Sequence, residues 1–338
     1  MDQQLSQDIH TYLATASSSE FCQQEVEILE GWEGSENLLW QVQSNGQEAV
    51  LKLFLDAGQA RSRRQYDGQQ SFASLGIAPR PLWFDRYPHG LARQVLVYEW
   101  MPGELLNPAE SNGMLSLAQS IAQIHSGDPN DVRRFSPNPV NLDYFWRVQQ
   151  GSFGPIHSWL NDHNGHNLSI HFSTLAERAE TLVEAALPLW SGSSPAPVHG
   201  DLKLENCLSH FGSTALLDWE LFGIGDPALD VARFLHFSQQ EIAEEMAESW
   251  LDHYLSMADQ PGLAQRIGVF QRLLIFQSLC YILDGLRSAE ADLFADEETV
   301  AFLQATLSAT LAASSNALGA GNDVDTGMAV DQLKFAIV

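Results

Sequence analysis

One stretch of the chain, residues 198–220, constrains its fold and chemistry more than any other. Asp201 and Asn206 lie five positions apart in a polar segment with apolar residues on both sides, and Asp218 follows the short apolar run Ala215–Leu217. This spacing predicts a short loop that carries Asp201 and Asn206, and a strand that delivers Asp218 to the same cleft. Carboxylate and amide oxygens are hard ligands that suit Mg²⁺, so the stretch is a candidate metal and catalytic site.

The order of these residues resembles a known pattern. Protein kinases carry a catalytic loop His-Arg-Asp-x-x-x-x-Asn, followed by an Asp-Phe-Gly segment that binds metal. Here Gly200 replaces the arginine, and Asp218-Trp219-Glu220 replaces Asp-Phe-Gly. With glycine at that position the chain resembles the aminoglycoside phosphotransferase family of small-molecule kinases, which includes choline kinase-like enzymes, and residues 225–232 resemble the usual continuation. The alternative is a His-Gly-Asp turn that caps a helix plus an unrelated aspartate, which the ordered set of motifs disfavours.

The resemblance implies an α+β, protein kinase-like two-lobe fold. The N-lobe, residues 1–99, would hold a five-stranded antiparallel sheet and one helix. The C-lobe, residues 100–313, would be mainly helical and carry the hinge, the catalytic loop and the acceptor pocket, and residues 314–338 would form a linker and tail.

The residues themselves also indicate the sheet, since β-rich runs alternate with turn residues and Asn45-Gly46 predicts a hairpin. A polar helix with an apolar stripe at Leu5, Ile9 and Leu13 precedes it, within residues 1–20. The predicted strands are Glu25–Leu29, Asn37–Gln43, Glu48–Phe54, a fourth within residues 77–84, and Gln94–Tyr98.

Lys52 lies inside one of these apolar strands, and lysine occurs in this chain only at positions 52, 203 and 334. A buried lysine is costly unless it is paired. The resemblance implies that Lys52 holds the α- and β-phosphates of ATP and pairs with an acid of the next helix, roughly residues 58–75. Counting back from Gly76, Asp67 best matches that acid. A solvent-facing lysine on an edge strand is the alternative interpretation.

Two further segments are predicted to contact ATP by their position. The turn at residues 30–37 lies where a nucleotide-phosphate loop belongs, although it lacks a full Gly-x-Gly-x-x-Gly. Ser35 and nearby backbone N–H groups are therefore candidates for phosphate contacts, with an ordinary hairpin turn as an equal alternative. At the break after the fifth strand, which resembles the family's hinge, adenine would bond the carbonyl of Glu99 and the N–H of Met101.

The rest of the chain is mainly helical in pattern, with helices predicted at Leu115–His125, at Phe172–Leu189 and over most of residues 230–313. His125 is predicted to be a structural residue at a helix end, and Asp230 to cap or brace the catalytic loop.

Two features leave alternatives open. Residues 126–172 are rich in Pro, Gly and Asn, which indicates irregular structure. Their aromatic side chains either pack the loop or form a cation-binding wall with Asp143 and Asp162. Glu220 is either a contact to a second magnesium ion, as in choline kinase-like members, or a solvent-facing acid.

The implied reaction moves the γ-phosphoryl group of ATP to a hydroxyl of a small molecule, with ATP and Mg²⁺ as cofactors. Such transfer depends mostly on positioning and charge neutralisation. Asp201 would orient or accept the proton of the attacking hydroxyl, and Asn206 and Asp218 would hold the metal. A nucleotide-binding regulatory module without turnover is disfavoured because every expected catalytic residue is present. A protein kinase is disfavoured because no Ala-Pro-Glu segment follows Asp218.

The charge and composition of the chain limit the kinds of partner it can bind. The sequence motifs do not identify the acceptor or the oligomeric state. A formal net charge of −26 at pH 7 argues against nucleic acid. It fits a cationic acceptor, such as an aminoglycoside or a choline-, thiamine- or homoserine-like compound, although surface acidity also serves solubility. The absence of a run of about 20 apolar residues predicts no membrane span. Three widely spaced cysteines and a polar N-terminus predict a cytoplasmic protein.

Overall fold

The structure is a computed structural model that describes residues 3–15, 25–34, 37–56, 58, 60–132, 136–258, 260–291 and 297–320. Two compact units divide the chain, and each is assembled from separate segments. The first unit consists of Met1–Asn138, Ala196–Asp230 and Ser238–Asp259. The second consists of Pro139–Pro195, Val231–Phe237 and Gln260–Val338. The segment with Asp201 and Asp218 thus belongs to the same unit as the N-terminal sheet, so the division does not fall between residues 99 and 100.

Five strands of the first unit form the predicted antiparallel sheet. They are β1 (Glu27–Glu33), β2 (Asn37–Ser44), β3 (Gln47–Phe54), β4 (Pro81–Asp85) and β5 (Val95–Glu99). Their order in the sheet is β1-β2-β3-β5-β4, and every neighbouring pair is antiparallel. The predicted Asn45-Gly46 turn joins β2 to β3 with positive φ at both residues, as a tight two-residue hairpin requires.

The two faces of this sheet bury different side chains, because neighbouring residues of a strand point to opposite faces. On one face, Ile9 of helix α1 (Gln3–Thr15) shares a buried cluster with Leu51 of β3. The helix was predicted, and its apolar stripe packs as expected. Phe54 lies in the cluster of the opposite face, and Lys52 has the same parity along β3 as Phe54.

Helix α2 (Ala60–Phe72) packs against β4, β5 and residues 219–221. Its buried residues are Ser62, Gln65, Gly68, Gln69 and Phe72. A Cβ atom at Gly68 would lie 2.6 Å from Cε3 of Trp219, so glycine allows the helix to approach this closely. The weaker helix propensity of glycine, about 1 kcal/mol relative to alanine, is offset by that contact.

The remaining elements of the first unit surround the predicted catalytic loop. They are β6 (Glu104–Leu105), α3 (Ser111–His125), β7 (Ala196–Val198), β8 (Cys207–His210), β9 (Ser213–Leu216), β10 (Gly223–Gly225) and α8 (Glu244–Met257). Three of the strands form an antiparallel sheet of order β6-β8-β9, and β7 pairs with β10. Helix α3 packs against β9 and α8. Helix α7 (Pro227–Phe237) runs from a segment of the first unit into a segment of the second.

The described part of the second unit is helical. Its helices are α4 (Leu142–Gln150), α5 (Phe153–Asp162), α6 (His166–Ala186), α9 (Leu263–Ala291) and α10 (Glu297–Leu318). Helix α9 contacts α5, α6 and α10. Helix α10 continues through Leu318, so the prediction of a linker from residue 314 is wrong for residues 314–318. Residues 321–338 of the predicted tail lie outside the described residues.

The prediction of irregular structure over residues 126–172 is wrong for α4, α5 and the start of α6. The Asn141 side chain accepts a hydrogen bond from the Tyr144 N–H at 2.8 Å and caps α4. Pro155 lies in the first turn of α5, where its missing N–H costs no helical hydrogen bond. Trp146 is buried, and the half-buried ring of Phe153 contacts the rings of Trp146 and Phe172, which favours packing over a cation-binding wall.

One segment among the described residues, Leu263–Ala289, is long and apolar enough to cross a membrane. Half of its most apolar window is buried inside the protein. The core helix of a soluble protein passes the same test of length and composition, so this segment is weak evidence for a membrane.

Candidate active site

A β-hairpin brings Asn206 and Asp218 to one end of a sheet. In the pairing of β8 with β9, Cys207 lies opposite Leu216. The N–H of Leu217 extends the ladder by donating to the carbonyl of Asn206 at 2.8 Å. Since Asn206 directly precedes β8 and Asp218 follows β9, both side chains start from the open end of the hairpin, as the spacing predicted.

The loop before this hairpin holds Asp201 beside Asn206. The Asn206 Nδ2 donates to the carbonyl of Asp201 at 3.0 Å and to its Oδ2 at 3.1 Å. Lys203 Nζ lies 3.3 Å from the same Oδ2, and 34% of the Asp201 side chain is exposed. The loop turns at Gly200, whose φ is +87° and where a Cβ atom would lie 2.4 Å from the Leu221 carbonyl oxygen. Glycine therefore stands where protein kinases have arginine because this backbone leaves no space for a side chain.

Asp230 braces the loop from beneath, as predicted. Its buried carboxylate accepts hydrogen bonds from the backbone N–H groups of His199 at 3.1 Å and Gly200 at 3.0 Å. His125 Nε2 lies 3.2 Å from Oδ2, and Tyr254 Oη lies 2.8 Å from His125 Nδ1. Burial alone would raise the pKa of Asp230, but the hydrogen bonds from His125 and the backbone hold it below its ordinary value. We call these five residues the Asp230 cluster.

His199 uses both ring nitrogens inside the same loop. Its Nε2 donates to the carbonyl of Leu217 at 2.9 Å, and its Nδ1 accepts from the N–H of Asp201 at 3.3 Å. This pair of partners fits the neutral ring with its proton on Nε2. Burial lowers the pKa of His199, in agreement with that assignment.

Lys52 is buried and lies between two carboxylates. Its Nζ is 2.8 Å from Asp218 Oδ1 and 2.5 Å from Glu220 Oε1. Asn37 Nδ2 donates to the same Glu220 oxygen at 2.6 Å, and Arg61 Nη1 lies 3.6 Å from Glu220 Oε2. Burial would lower the pKa of Lys52, but the charges of Asp218 and Glu220 together raise it above its ordinary value, so the ammonium stays charged. We call these five residues the Lys52 cluster.

The prediction that Asp67 pairs with Lys52 is wrong. Its Oδ2 lies 4.0 Å from Arg63 Nε, one turn earlier in α2. The physical reason is the face on which α2 packs. Gly68 meets Trp219, and the preceding residue is rotated from that face by about 100°. Neither interpretation of Glu220 anticipated its position, since the side chain is buried against Lys52 rather than exposed to solvent.

The backbone of Asp218 is itself unusual. Its φ of 56° and ψ of 67° place it in the left-handed region, which few non-glycine residues adopt and which costs of order 1–3 kcal/mol. The following Trp219 anchors this turn through its Nε1–H bond to the carbonyl of Leu216 at 2.9 Å and its stacking on Phe72. Strain of this kind often marks a functional site.

The donor set fits magnesium. Asn206 engages Asp201 through Nδ2, and Asp218 engages Lys52 through Oδ1. Oδ1 of Asn206 and Oδ2 of Asp218 accept no hydrogen bond within the part of the chain that the structure describes. No group of three or more His, Cys, Asp or Glu residues among the described residues could hold a metal ion by itself. Magnesium commonly takes one or two carboxylates and completes its shell with phosphates and water.

The predicted contacts to the nucleotide lie in the same unit. Strand β1 continues to Glu33, beyond its predicted end at Leu29, and Ser35 lies outside the described residues. Glu99 ends β5, and its side chain pairs with Arg80. The N–H of Met101, two residues on, donates to no backbone acceptor among the described residues.

A model described as "Phosphotransferase enzyme family" matches residues 27–266, a range that contains Lys52, Asp201, Asn206 and Asp218. The chain belongs to the phosphotransferase enzyme family. Its five-stranded antiparallel sheet and its largely helical remainder are those of the protein kinase-like fold, so the fold and family predictions are confirmed.

Solved structures of this fold include a choline/ethanolamine kinase family protein from Mesorhizobium loti, with a TM-score of 0.59 and 14% identity over 98% of this chain and 99% of that chain. An ethanolamine kinase from Plasmodium vivax has a TM-score of 0.58 and 15% identity over 92% of this chain and 89% of that chain. A thermostable mutant of aminoglycoside phosphotransferase APH(4)-Ia, in a ternary complex with AMP-PNP and hygromycin B, has a TM-score of 0.58 and 17% identity over 93% of this chain and 100% of that chain. At these identities the similarity shows the fold alone.

Among curated proteins, the chain is 23% identical over 220 residues to acyl-CoA dehydrogenase family member 11 of Gallus gallus. The match covers 60% of this chain and 27% of that protein, so the phosphotransferase spans only about a quarter of that relative's length.

Sequence reasoning missed two sets of contacts at this candidate site. Asn37 and Arg61 bind Glu220, and nothing in the local pattern pointed to that acid as their partner. Trp32 of β1 stacks on Trp100 beside the hinge, with ring centroids 6.1 Å apart and an interplanar angle of 13°. The only signal for that pair was the presence of one tryptophan near each predicted nucleotide contact.

Proposed function

We propose that this phosphotransferase is an ATP- and magnesium-dependent kinase that moves the γ-phosphoryl group of ATP to a hydroxyl of a small molecule. The observation that carries the proposal is a continuous set of contacts in the first unit. Asn206 binds Asp201, the Asn206 backbone pairs with Leu217, and Asp218 binds Lys52. A general base, two oxygen ligands and a fixed ammonium therefore share one region.

Asp201 would orient the acceptor hydroxyl and take its proton. Its carboxylate is held by Asn206 and Lys203, yet a third of the side chain remains exposed, so an acceptor can reach it. A base must come within hydrogen-bond distance of the proton it removes, and the braced backbone of the loop fixes that position.

Asn206 and Asp218 would hold Mg²⁺ through Oδ1 and Oδ2, respectively, which accept no hydrogen bond from the described residues. The metal would neutralise charge on the transferred phosphoryl group. Lys52 would donate to the α- and β-phosphates of ATP, Ser35 and its neighbouring backbone N–H groups to the phosphates as well, and the backbone of Glu99 and Met101 would bind adenine. The AMP-PNP bound in the similarly folded aminoglycoside phosphotransferase supports a nucleotide site in this fold.

The acceptor we propose is an alcohol that also carries an amine, of the aminoglycoside, choline, thiamine or homoserine type. The formal net charge of −26 favours a cationic acceptor over an anionic one. The names of the similarly folded kinases, which include aminoglycoside phosphotransferases and choline/ethanolamine kinases, support the same class.

The test is a screen of these alcohols with Mg²⁺ and ATP, with ADP release and the mass of the product as readouts. We expect one class to be phosphorylated, and we expect Asp201→Asn to abolish transfer while AMP-PNP still binds in calorimetry. Removing the base leaves the nucleotide contacts in place, so this variant should lose phosphoryl transfer but keep its affinity for AMP-PNP.

Lys52→Ala serves as the second variant. The loss of a charged phosphate contact costs at least about 1.4 kcal/mol, so ATP use should weaken at least tenfold. An Asp201→Asn protein that still transfers phosphate would remove Asp201 from its role. Tight AMP-PNP binding without transfer to any acceptor would favour a regulatory module.

A further inference from the structure

Glu220 is the most heavily engaged acid of the candidate site. Only 5% of the residue is exposed. Its Oε1 contacts Lys52 at 2.5 Å and Asn37 at 2.6 Å, and its Oε2 lies 3.6 Å from Arg61. Arg64 Nε donates to its backbone carbonyl at 2.5 Å. Strands β2 and β3 and helix α2 therefore all hold one residue of the Asp218-Trp219-Glu220 segment.

The buried face of α2 supplies no acid for Lys52. Its buried residues are Ser62, Gln65, Gly68, Gln69 and Phe72, none of which can carry a negative charge. Instead, α2 presents Arg61 and Arg64 to Glu220. A buried ammonium without a carboxylate partner would be strongly unfavourable, so the negative charge must come from another element.

Asp218 cannot meet this need alone once it serves a metal. The positive charge of a bound Mg²⁺ offsets the negative charge of the Asp218 carboxylate, so Asp218 then stabilises the Lys52 ammonium less. Among the described residues, Glu220 is the other acid within hydrogen-bond distance of Lys52.

We infer that Glu220 is the residue that positions Lys52 for nucleotide phosphates, and that α2 acts on this lysine indirectly, by holding Glu220 through Arg61 and Arg64. The inference rests on the proposed kinase function. In the kinase pattern an acid of the helix pairs with this lysine, whereas here the acid comes from the Asp218-Trp219-Glu220 segment. Glu220 is then a positioning residue rather than a ligand of a second magnesium ion, since cations and an amide of the protein already engage both of its oxygens.

The experiment compares two isosteric variants, Glu220→Gln and Asp67→Asn. Asp67 is the matched control, because it is the helix acid that the kinase pattern suggests and it does not contact Lys52. At saturating Mg²⁺ we expect Glu220→Gln to raise the KM for ATP and the Kd for AMP-PNP at least about tenfold, with a smaller change in kcat. Asp67→Asn should stay within about twofold of the wild type.

A double-variant cycle tests whether Glu220 acts through Lys52. Lys52→Met and the double variant Lys52→Met/Glu220→Gln should bind AMP-PNP with the same affinity, because the second change removes a partner that is no longer needed. The double variant also avoids an unpaired buried charge, so it remains informative if Glu220→Gln does not fold. Glu220→Asp keeps the charge, and we expect it to restore part of the ATP affinity.

Three outcomes would overturn the inference. The first is a loss of affinity in Asp67→Asn with none in Glu220→Gln. The second is a Glu220→Gln protein whose Mg²⁺ requirement rises while its KM for ATP at saturating Mg²⁺ is unchanged, as a metal ligand would show. The third is additive losses in the double variant. If the wild type itself neither binds AMP-PNP nor consumes ATP, the proposed function fails rather than this assignment.

Discussion

Asp230 and Asp218, two aspartates of the first unit, have opposite surroundings. The Asp230 carboxylate meets two backbone N–H groups and one imidazole, and its side chain is 3% exposed. The Asp218 carboxylate meets one ammonium through one oxygen, and its side chain is 36% exposed. Both oxygens of Asp230 accept hydrogen bonds, whereas Oδ2 of Asp218 accepts none from the described residues.

This difference assigns the two carboxylates different roles: Asp230 stabilises the loop, and Asp218 is available to bind a ligand. A carboxylate that accepts several short hydrogen bonds fixes the backbone around it and has nothing left to offer a ligand. A carboxylate held at one oxygen is oriented but still open, which is what a metal ligand requires. The left-handed backbone at Asp218 is maintained by its neighbours at some energetic cost, whereas Asp230 lies in the first turn of α7.

The largest predicted effect comes from making the same isosteric change at both positions. In Asp230→Asn the new amide group must face a backbone N–H or His125, so donor meets donor. We expect the free energy of unfolding to fall by about 3 kcal/mol or more. In Asp218→Asn the loss should be smaller, because Lys52 keeps Glu220 and asparagine tolerates positive φ. Urea denaturation, with the midpoint compared at constant m, measures both.

Activity should show the reverse order for protein that is still folded. We expect Asp218→Asn to reduce ATP-dependent transfer beyond the roughly 10- to 100-fold that removing an outer partner of a metal ligand costs. Asp143→Asn on the surface of α4 is the control, and its stability should change by less than about 1 kcal/mol. Equal losses of stability in Asp218→Asn and Asp230→Asn would contradict the separate roles of the two carboxylates.

A second prediction concerns how the free energy of unfolding depends on pH. His199 lies in the braced loop, and its pKa is held below the ordinary 6.5 by burial. Below pH 6.5 the unfolded chain takes up a proton that the folded imidazole refuses, so this contribution to stability is present above that pH and is lost as pH falls. His199→Gln should be less stable at neutral pH by about 1–3 kcal/mol, through lost hydrogen bonds. Its stability should also depend less steeply on pH between neutral and acidic conditions.

Urea titrations at several pH values measure that slope, with His89→Gln on the surface as the control for loss of an imidazole. Asp230, whose pKa is held below its ordinary value, keeps some pH dependence in both histidine variants, so the expected result is a shallower slope rather than a flat one. A His199→Gln slope identical to that of the wild type would show that this ring is not the titrating group.

The same comparison explains what the sequence could predict. Asp201, Asn206 and Asp218 lie within 18 positions of one another in the chain, and a short hairpin between them fixes where they meet. Their convergence was therefore readable from spacing alone. The prediction that Asp230 caps or braces the catalytic loop was also correct.

The partner of Lys52 was not predictable in this way. It depends on which face of α2 packs inward, and that face is set by the contact between Gly68 and Trp219, which are distant in sequence. The helices α4 and α5 were missed for a different reason, since Gly, Pro and Asn were interpreted as breaks in the chain. Asn141 instead caps α4, and Pro155 lies in the first turn of α5. Each residue type favours a helix at the position it occupies.

The smallest predicted effect concerns the outer edge of the Asp230 cluster. In Tyr254→Phe the ring keeps its stacking on Trp250, but His125 Nδ1 loses its hydrogen-bond partner. One neutral hydrogen bond contributes about 0.5–1.5 kcal/mol, so the unfolding midpoint in urea should fall slightly at constant m. The KM for ATP should not change, because this hydroxyl bonds His125, which bonds Asp230, and neither of these residues belongs to the Lys52 cluster. Tyr87→Phe, at an exposed ring, controls for the loss of a hydroxyl and should match the wild type. A Tyr254→Phe protein with normal stability and a raised KM for ATP would mean that the two carboxylate clusters are coupled, and that stabilising and binding are not separate in this unit.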